Sequence, residues 1–391
     1  MAFQRWVAPP RLRLPGDDSE DRRATWLELF FDLVFAAAVA DLGSELSDHF
    51  TPAGLGAFFL QFFLFWWAWT GHTFFSTRFD NDDLLHRVLT LGQVFLAAVM
   101  AVNASPDLMT RETAGFVAGY GGMRLLLAVQ YGRVVSVEAS RPLARRQRLG
   151  LTLAGAVWLT SAISPIGWRP WLWAVALVVE LGTPLWIARA APAVPVDPRH
   201  LLERFGLFTL ILFGQSVVAI MAGMRQRELW TPGAAISALL GLALTFSLWW
   251  AYFDGLVAAS RQRGPTHPSS GAFQAWIATH LPLCFGIAVV AVGIEHIIAR
   301  DGAGPLGLGA PLLVAGLVTV VVTLGVLAAT SPNGPTRSPG RILAPYTGLA
   351  MVVAPAAIYG GATPPVWMLF WFLAAGIVLN VAAGRLRATP E

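Results

Sequence analysis

The sequence is short of charge and of cysteine. Only 13% of its 391 residues are charged, against about 25% in a typical soluble domain, and lysine is absent, so that all 27 basic residues are arginine. The one cysteine, Cys284, lies within an apolar run, which excludes an intrachain disulfide and a cysteine-based metal site. A hydrophobic fraction of 55% cannot be hidden inside a soluble protein of this size, so the composition predicts a polytopic membrane protein.

Several familiar sequence motifs are missing as well. The chain has no Walker motif, dinucleotide fingerprint, zinc-protease motif or nucleophile elbow. Residues 1–25 are polar and lack the apolar core of a signal peptide, so we interpret them as a retained tail. The pI of 9.8 does not predict a nucleic-acid partner, because the arginines lie in short loops between apolar runs, where they set topology. The expected partner is the lipid bilayer.

Twelve apolar runs of about 20 residues are each long enough to cross a bilayer. A segment surrounded by lipid must satisfy its own backbone hydrogen bonds, so helices are the expected form. We therefore predict an all-α, polytopic membrane helix bundle. The predicted spans are 26–46, 53–73, 84–104, 113–133, 149–166, 170–189, 201–223, 233–256, 272–298, 308–330, 342–360 and 366–384.

The distribution of arginine predicts how these spans are oriented. If the N-terminus is cytoplasmic, 19 arginines fall in inside segments and 5 in outside loops, which is the bias expected for cytoplasmic loops. The predicted location is the bacterial inner (plasma) membrane, with both termini in the cytoplasm.

Three sequence matches indicate an internal repeat. Leu27-Glu28 opens span one as Leu202-Glu203 opens span seven, the sequence WWAW at 66–69 matches WWAY at 249–252, and His86 matches His280. The offsets are 175, 183 and 194; six spans duplicated in parallel would restore the same orientation. The predicted organisation is a tail over 1–25, a first six-helix half over 26–190, a proline-rich linker over 191–199, a second six-helix half over 200–384 and a C-terminal tail over 385–391.

Three local motifs resemble the bacterial low-temperature-requirement A family. They are ELFFDLVF at 28–35, FDNDDLLHR at 79–87 and ERFGLF at 203–208. The resemblance covers most of the chain and implies a multi-pass inner-membrane protein of poorly defined biochemistry, named for growth in the cold. At Gln215 the family more often has glutamate, which would alter an activity that needs that carboxylate. The family name specifies no reaction, so the site is argued from the residues themselves.

Ionisable residues inside the spans are the first candidates for a site, because each costs about 2.5–3.5 kcal/mol at the bilayer centre. Glu28 and Asp32 are four residues apart and share a helical face, which predicts pairing within the bundle or contact with a substrate. Arg124, near the middle of span four, needs a counter-charge. Asp32, Glu180 or a bound anion could supply it, and a purely structural salt bridge is an equal alternative.

The matched histidines are candidates for proton relay or hydrogen bonding to a substrate, although packed, hydrogen-bonded side chains would give the same pattern. We combine these histidines with the charged residues within the spans and at their ends to predict a binding site. The predicted substrate-binding residues are Glu28, Asp32, His86, Arg87, Arg124, Glu180, Glu203 and His280.

An acidic cluster follows span two and could hold a metal. Asp80, Asp82 and Asp83 offer the oxygen ligands that Mg²⁺ prefers when it bridges to substrate phosphates, and neighbouring arginines could clamp those phosphates. The alternative is a solvated loop whose last aspartate caps the next helix.

Two functions from different classes therefore remain open. The first is a transporter-like protein that handles a solute or a lipid-like molecule through a cytoplasm-facing polar site. The second is an intramembrane, Mg²⁺-dependent enzyme acting on an isoprenoid diphosphate or similar lipid, like a prenyltransferase or terpene synthase. A third, purely structural role in stress adaptation fits the family name but supplies no mechanism.

Overall fold

The computed structural model describes residues 6–8, 10–13, 24–48, 51–81, 83–190, 194, 196–227, 229–253, 270–299, 309–330, 373 and 376. The last two predicted spans, 342–360 and 366–384, lie outside this part of the chain apart from residues 373 and 376. The predicted count of twelve spans therefore stays a prediction.

Within the described ranges the chain forms ten α-helices, which confirms the all-α fold class. Short 3₁₀ turns cover Val134–Ser136, Glu138–Ser140 and Ile166–Trp168. The helices are α1 (Trp26–Asp48), α2 (Pro52–Arg78), α3 (Leu84–Val102), α4 (Thr113–Arg133), α5 (Arg141–Ile163), α6 (Arg169–Ala190), α7 (Pro198–Arg225), α8 (Pro232–Tyr252), α9 (Ser270–Ala299) and α10 (Gly309–Thr330).

Seven of the described helical segments are long and apolar enough to cross a membrane, so the chain is a multi-pass membrane protein. They are α2, α3, α7, α8, α9, α10 and the segment Ile166–Arg189 that includes most of α6.

The helices begin where the sequence supplies caps. Thr51 accepts a hydrogen bond from the Gly54 N–H at 3.0 Å, and Thr231 accepts one from the Ala234 N–H at 3.2 Å. Each threonine is followed by a proline at the first helical position, where its missing N–H costs no helical hydrogen bond. α5 begins at Arg141 rather than at the predicted residue 149. Its first turns are rich in arginine, which is a good helix former. A prediction based on apolar residues alone assigns these turns to a loop.

The N-terminal tail takes part in the fold, a feature that the sequence patterns did not predict. Two short strands, β1 (Arg11–Leu12) and β2 (Phe79–Asp80), pair in antiparallel register with Arg11 opposite Asp80. The Arg13 N–H also donates to the Arg78 carbonyl at 3.0 Å. This part of the tail is therefore tied to the end of α2.

The chain divides into two compact units. The first comprises residues 1–45 and 51–204, and the second comprises residues 46–50 and 205–391. The first unit thus contains α2 to α6, most of α1 and the start of α7. The second contains the last three residues of α1, the rest of α7 and helices α8 to α10.

α3 shows how the first unit separates polar from apolar residues. It exposes Val88, Leu91 and Phe95 along one side and buries Thr90 and Gln93 on the other. This is the reverse of a water-soluble helix, whose polar face is outside. Because lipid takes the place of water around the bundle, the interior of the first unit is where polar groups gather.

Glycines allow neighbouring helices to approach closely. A methyl group at Gly155 of α5 would lie 3.0 Å from the Gly121 carbonyl oxygen of α4 and 2.9 Å from a methyl carbon of Leu125. Small residues at helix contacts are typical of membrane bundles, where close van der Waals packing drives association.

One such packing contact recurs in each unit at the same sequence offset. A methyl group at Gly92 of α3 would lie 3.0 Å from Leu126 of α4, and one at Gly286 of α9 would lie 2.9 Å from Val320 of α10. The second pair lies 194 positions after the first, which is also the offset between the matched histidines. The recurrence supports the predicted duplication, which stays a prediction. A further pair of contacts shares this offset: Leu96 with Gly122, and Val290 with Gly316.

We expect Gly155→Ala to destabilise the protein by about 1–3 kcal/mol, the usual cost of overpacking a close contact, because the added methyl group meets backbone at Gly121. Gly182→Ala in α6 is the matched control, since a methyl group there meets nothing within 4 Å and alanine favours helix over glycine by about 0.5–1 kcal/mol. The measurement is the thermal unfolding midpoint in detergent. Equal midpoints for the two variants would contradict the close α4–α5 contact.

Candidate functional site

Four ionisable side chains meet inside the first unit, two from α1 and two from the start of α7. Glu28 and Asp32 are four residues apart, as are His200 and Arg204, so each pair projects from one side of its helix. Their exposed fractions are 5%, 0%, 1% and 0%. Both carboxylates pair within the bundle, as predicted, and their partners are basic side chains. We call these four side chains the acid–base cluster.

Glu28 is fixed by the start of α1. Thr25 and Glu28 form a capping box: the Thr25 N–H donates to Glu28 Oε2 at 2.8 Å, and the Glu28 N–H donates to Thr25 Oγ1 at 3.3 Å. The other carboxylate oxygen, Oε1, lies 3.3 Å from His200 Nε2 and 3.4 Å from Arg204 Nη1. Glu28 thus caps the start of α1 and also supplies one of the two carboxylates of the cluster.

Asp32 lies one turn deeper. Its Oδ1 accepts hydrogen bonds from Trp69 Nε1 and from Arg204 Nη2, both at 2.6 Å. In the part of the chain that the structure describes, its second oxygen, Oδ2, has no hydrogen-bond partner. Buried polar atoms without partners are uncommon and call for an explanation, such as water or a ligand.

Further polar groups line the neighbouring faces of α2, α3 and α4. His72 stacks on Phe31 with 4.1 Å between ring centroids, and Gln93 Nε2 donates to Gln130 Oε1 at 3.4 Å. His86 lies 6.4 Å from His72, ring to ring. Among the described residues, several buried atoms here have no hydrogen-bond partner: Thr70 Oγ1, His72 Nδ1, Thr73 Oγ1, Thr90 Oγ1, Gln93 Oε1 and Gln130 Nε2.

Arg124 belongs to a second buried group, with Glu180 of α6. Its Nε lies 3.6 Å from Glu180 Oε2, and its guanidinium lies over the Tyr120 ring at 4.5 Å. Glu180 also accepts hydrogen bonds from the Tyr120 hydroxyl at 2.7 Å and from Trp158 Nε1 at 2.9 Å. Of the predicted partners of Arg124, the structure therefore brings Glu180 to it, while Asp32 pairs with Arg204.

The predicted metal-binding aspartates are engaged by other groups. Asp83 caps α3 through the His86 N–H at 2.9 Å, accepts from the Ala8 N–H at 2.8 Å and pairs with Arg133. Burial alone would raise the pKa of Asp83, but these donors and the Arg133 charge lower it below its usual value of 3.8.

The other two aspartates of the acidic cluster are separate from Asp83. Asp80, whose side chain is 58% exposed, pairs with Arg13 at 2.5 Å, and Asp82 lies outside the described residues. Among the residues that the structure describes, no three carboxylate, histidine or cysteine side chains come together as a metal site. The predicted metal-binding role of these aspartates stays a prediction.

The remaining predicted residues lie apart from the acid–base cluster or at its edge. Arg87 is on the exposed side of α3. The Glu203 side chain is 28% exposed, with Oε2 3.8 Å from His200 Nδ1. In the second unit, His280 is buried between the Tyr252 hydroxyl at 3.1 Å and the Trp276 carbonyl at 2.8 Å, as expected of a packed, hydrogen-bonded histidine.

Sequence reasoning missed His200 and Arg204 as members of the site. Arg204 is one of the arginines inside a predicted span, and the counter-charge argument made for Arg124 applies to it equally. The four-residue spacing between His200 and Arg204 repeats the spacing between Glu28 and Asp32. Matching an acidic pair with a basic pair of the same spacing would have found the cluster.

Comparisons with known proteins find similar sequences but specify no reaction. The family model described as bacterial low temperature requirement A protein matches residues 23–383. An uncharacterised protein of Rhizobium meliloti (strain 1021) is 30% identical over 298 residues, which cover 73% of this chain and 72% of the relative. No solved structure matches the chain.

We expect Arg124→Leu to destabilise the protein by about 3–5 kcal/mol, because it leaves the Glu180 carboxylate buried without its counter-charge. The double variant Arg124→Leu/Glu180→Leu should recover much of that loss, since replacing a buried ion pair by apolar residues is often nearly neutral. Thermal unfolding in detergent measures both. If Arg124→Leu unfolds at the wild-type temperature, the pair does not compensate a buried charge.

Proposed function

The chain belongs to the bacterial low temperature requirement A family, whose name specifies no reaction, and we propose from its own residues that it is a transporter-like protein. It binds a small polar solute at the acid–base cluster of its first unit. In this proposal the protein lies in the bacterial inner membrane with both termini in the cytoplasm, as the arginine distribution predicts.

The observation that carries the proposal is the burial of Asp32 with one unpartnered oxygen. Ionisable residues within membrane bundles are costly and usually mark substrate or ion pathways. A structural ion pair would be expected to satisfy both carboxylate oxygens, whereas Asp32 uses only Oδ1 within the described residues. A polar solute that donates a hydrogen bond to Oδ2 would complete the site.

Other buried polar atoms of the first unit extend this argument beyond one residue. The unpartnered oxygens of Thr70, Thr73 and Thr90 and the Nδ1 of His72 belong to α2 and α3. Hydroxyl and imidazole groups both donate and accept hydrogen bonds, which suits successive contacts with a polar solute. An apolar lipid tail would leave all of them unsatisfied.

Four polar positions of the first unit are apolar in the second, although the histidine at His280 is kept. At the offset of 194, Thr90 and Gln93 correspond to Cys284 and Ile287. Polar residues of α4 are replaced in the same way: Arg124 corresponds to Val318, and Gln130 to Leu324. This asymmetry supports a solute site in the first unit.

We favour this role over the Mg²⁺-dependent enzyme because the charges of the acidic cluster are already compensated. Asp83 serves as a helix cap and pairs with Arg133, and Asp80 pairs with Arg13. Binding Mg²⁺ would require both aspartates to leave these arginines.

We expect Asp32→Asn to fold and insert normally but to lose solute binding. Asparagine keeps the size of the side chain and removes the charge; a hydrogen bond to a charged group contributes about 1.5–3 kcal/mol, so retention should fall about tenfold or more. The measurement is mass spectrometry of small molecules and lipids that copurify with the full-length protein in detergent.

Asp41→Asn is the matched control, because Asp41 lies on the same helix and is exposed. A polar small molecule retained by the wild type and Asp41→Asn, and depleted from Asp32→Asn, is the expected result. Equal retention by all three proteins would place binding elsewhere. Diphosphate released from farnesyl diphosphate in the presence of Mg²⁺ would favour the enzyme instead.

A further inference from the structure

We infer that the acid–base cluster is a proton-binding site, with Asp32 as the acceptor, and that the coupling ion of the transporter is the proton. This inference rests on the proposed function, which it extends by naming the ion. It follows from the charges of the four side chains, the geometry around Asp32 and the identity of the groups that face it.

The cluster holds two carboxylates and only one permanently charged base. Glu28 and Asp32 supply the carboxylates and Arg204 the fixed positive charge, and His200 Nε2 lies 3.3 Å from Glu28 Oε1. All four side chains are at most 5% exposed, and burying a net charge is far more costly than burying a balanced pair. The second carboxylate is balanced when the cluster binds one proton.

The free acceptor for that proton is Asp32 Oδ2, the oxygen without a partner in the described structure. When it takes a proton from hydronium, an O–H bond forms, water is released and the carboxylate becomes neutral. Arg204 remains charged, since guanidinium does not lose its proton in proteins. Its Nη1 already lies 3.4 Å from Glu28 Oε1. When Asp32 is neutralised, the guanidinium can therefore move closer to Glu28 and pair with that carboxylate instead.

This shift gives protonation a structural consequence. Arg204 Nη2 is 2.6 Å from the ionised Asp32, and that attraction falls when the carboxylate is neutral. Movement of Arg204 towards Glu28 changes which polar atoms a solute meets beside Trp69 and Asp32. Binding of the proton and binding of the solute are then linked through one arginine, as coupling requires.

A metal cation fits the same position poorly. Oxygen atoms are the ligands of hard cations, whereas both partners of Asp32 Oδ1 are N–H donors, from Trp69 and Arg204. A guanidinium bonded to the same carboxylate also repels a second cation. A proton needs only one lone pair, which Oδ2 supplies.

A partly exposed titratable group of α7 lies beside the cluster. Glu203, with a 28% exposed side chain, lies 3.8 Å from His200 Nδ1, and His200 Nε2 lies 3.3 Å from Glu28. From α2 the facing groups are Trp69 and His72, and behind His72 lies His86 of α3.

The test is infrared difference spectroscopy of the full-length protein in nanodiscs, recorded between about pH 8 and pH 5, the range in which proton-coupled groups must exchange. We expect a carboxylic-acid C=O band that appears in the wild type and in Asp41→Asn and is lost in Asp32→Asn. Replacing choline chloride by sodium chloride at constant ionic strength should leave the band unchanged.

Glu28→Gln provides a second variant, should Asp32→Asn fail to fold. With Glu28 uncharged, Arg204 pairs with Asp32 alone and favours its ionised form. Asp32 should then bind its proton, and the band should appear, at lower pH than in the wild type. An absent band in the wild type, an unchanged band in Asp32→Asn or in Glu28→Gln, or displacement of the band by sodium would overturn the inference.

The two proposals fail separately. If Asp32→Asn loses the copurifying solute but the wild type shows no carboxylic-acid band, solute binding stands and the proton assignment is wrong. If the band behaves as expected but no solute depends on Asp32, the proton site stands and the transport proposal is wrong.

Discussion

The ion pair between Asp32 and Arg204 is the interaction on which the first unit depends. Both side chains are fully buried, and without Arg204 the Asp32 carboxylate would be a buried charge with no basic partner in this pair. Through this pair the start of α7 is tied to α1, and through Trp69 the same carboxylate is tied to α2. Glu28 and His200 complete the group one turn nearer to the helix ends.

The rest of the first unit is arranged so that such charges are tolerable in a membrane. α3 turns Val88 and Phe95 outward and Thr90 and Gln93 inward, so that polar groups contact one another rather than lipid. Arg124 and Glu180 form a separate buried ion pair, in which Tyr120 and Trp158 donate hydrogen bonds to the carboxylate. That second group is saturated on the carboxylate side, whereas Asp32 retains a free oxygen in the described structure. This difference is why we assign function to Asp32 and structure to Glu180.

Much of the fold could be predicted from the sequence, because hydropathy and caps act locally. α4 matches its predicted span, 113–133, at both ends, whereas α5 begins before its predicted span because its early turns contain arginines. The carboxylate half of the site, Glu28 and Asp32, was also predictable from spacing on one helix. Its basic half was not identified, because which helix supplies a counter-charge depends on tertiary packing between segments about 170 residues apart in sequence. The docking of Ala8 and Arg13 onto Asp83 and Asp80 escaped prediction for the same reason.

The most direct test of this account is a double-mutant cycle between Asp32 and Arg204, measured as the free energy of unfolding of Asp32→Asn, Arg204→Gln and the double variant. Residues in one buried ion pair show coupling energies of about 0.5–3 kcal/mol, whereas distant residues are additive within about 0.3–0.5 kcal/mol. The account predicts strong coupling, with the double variant more stable than the sum of the single losses implies. Additive losses would mean that the two side chains do not interact, and would contradict the site described above.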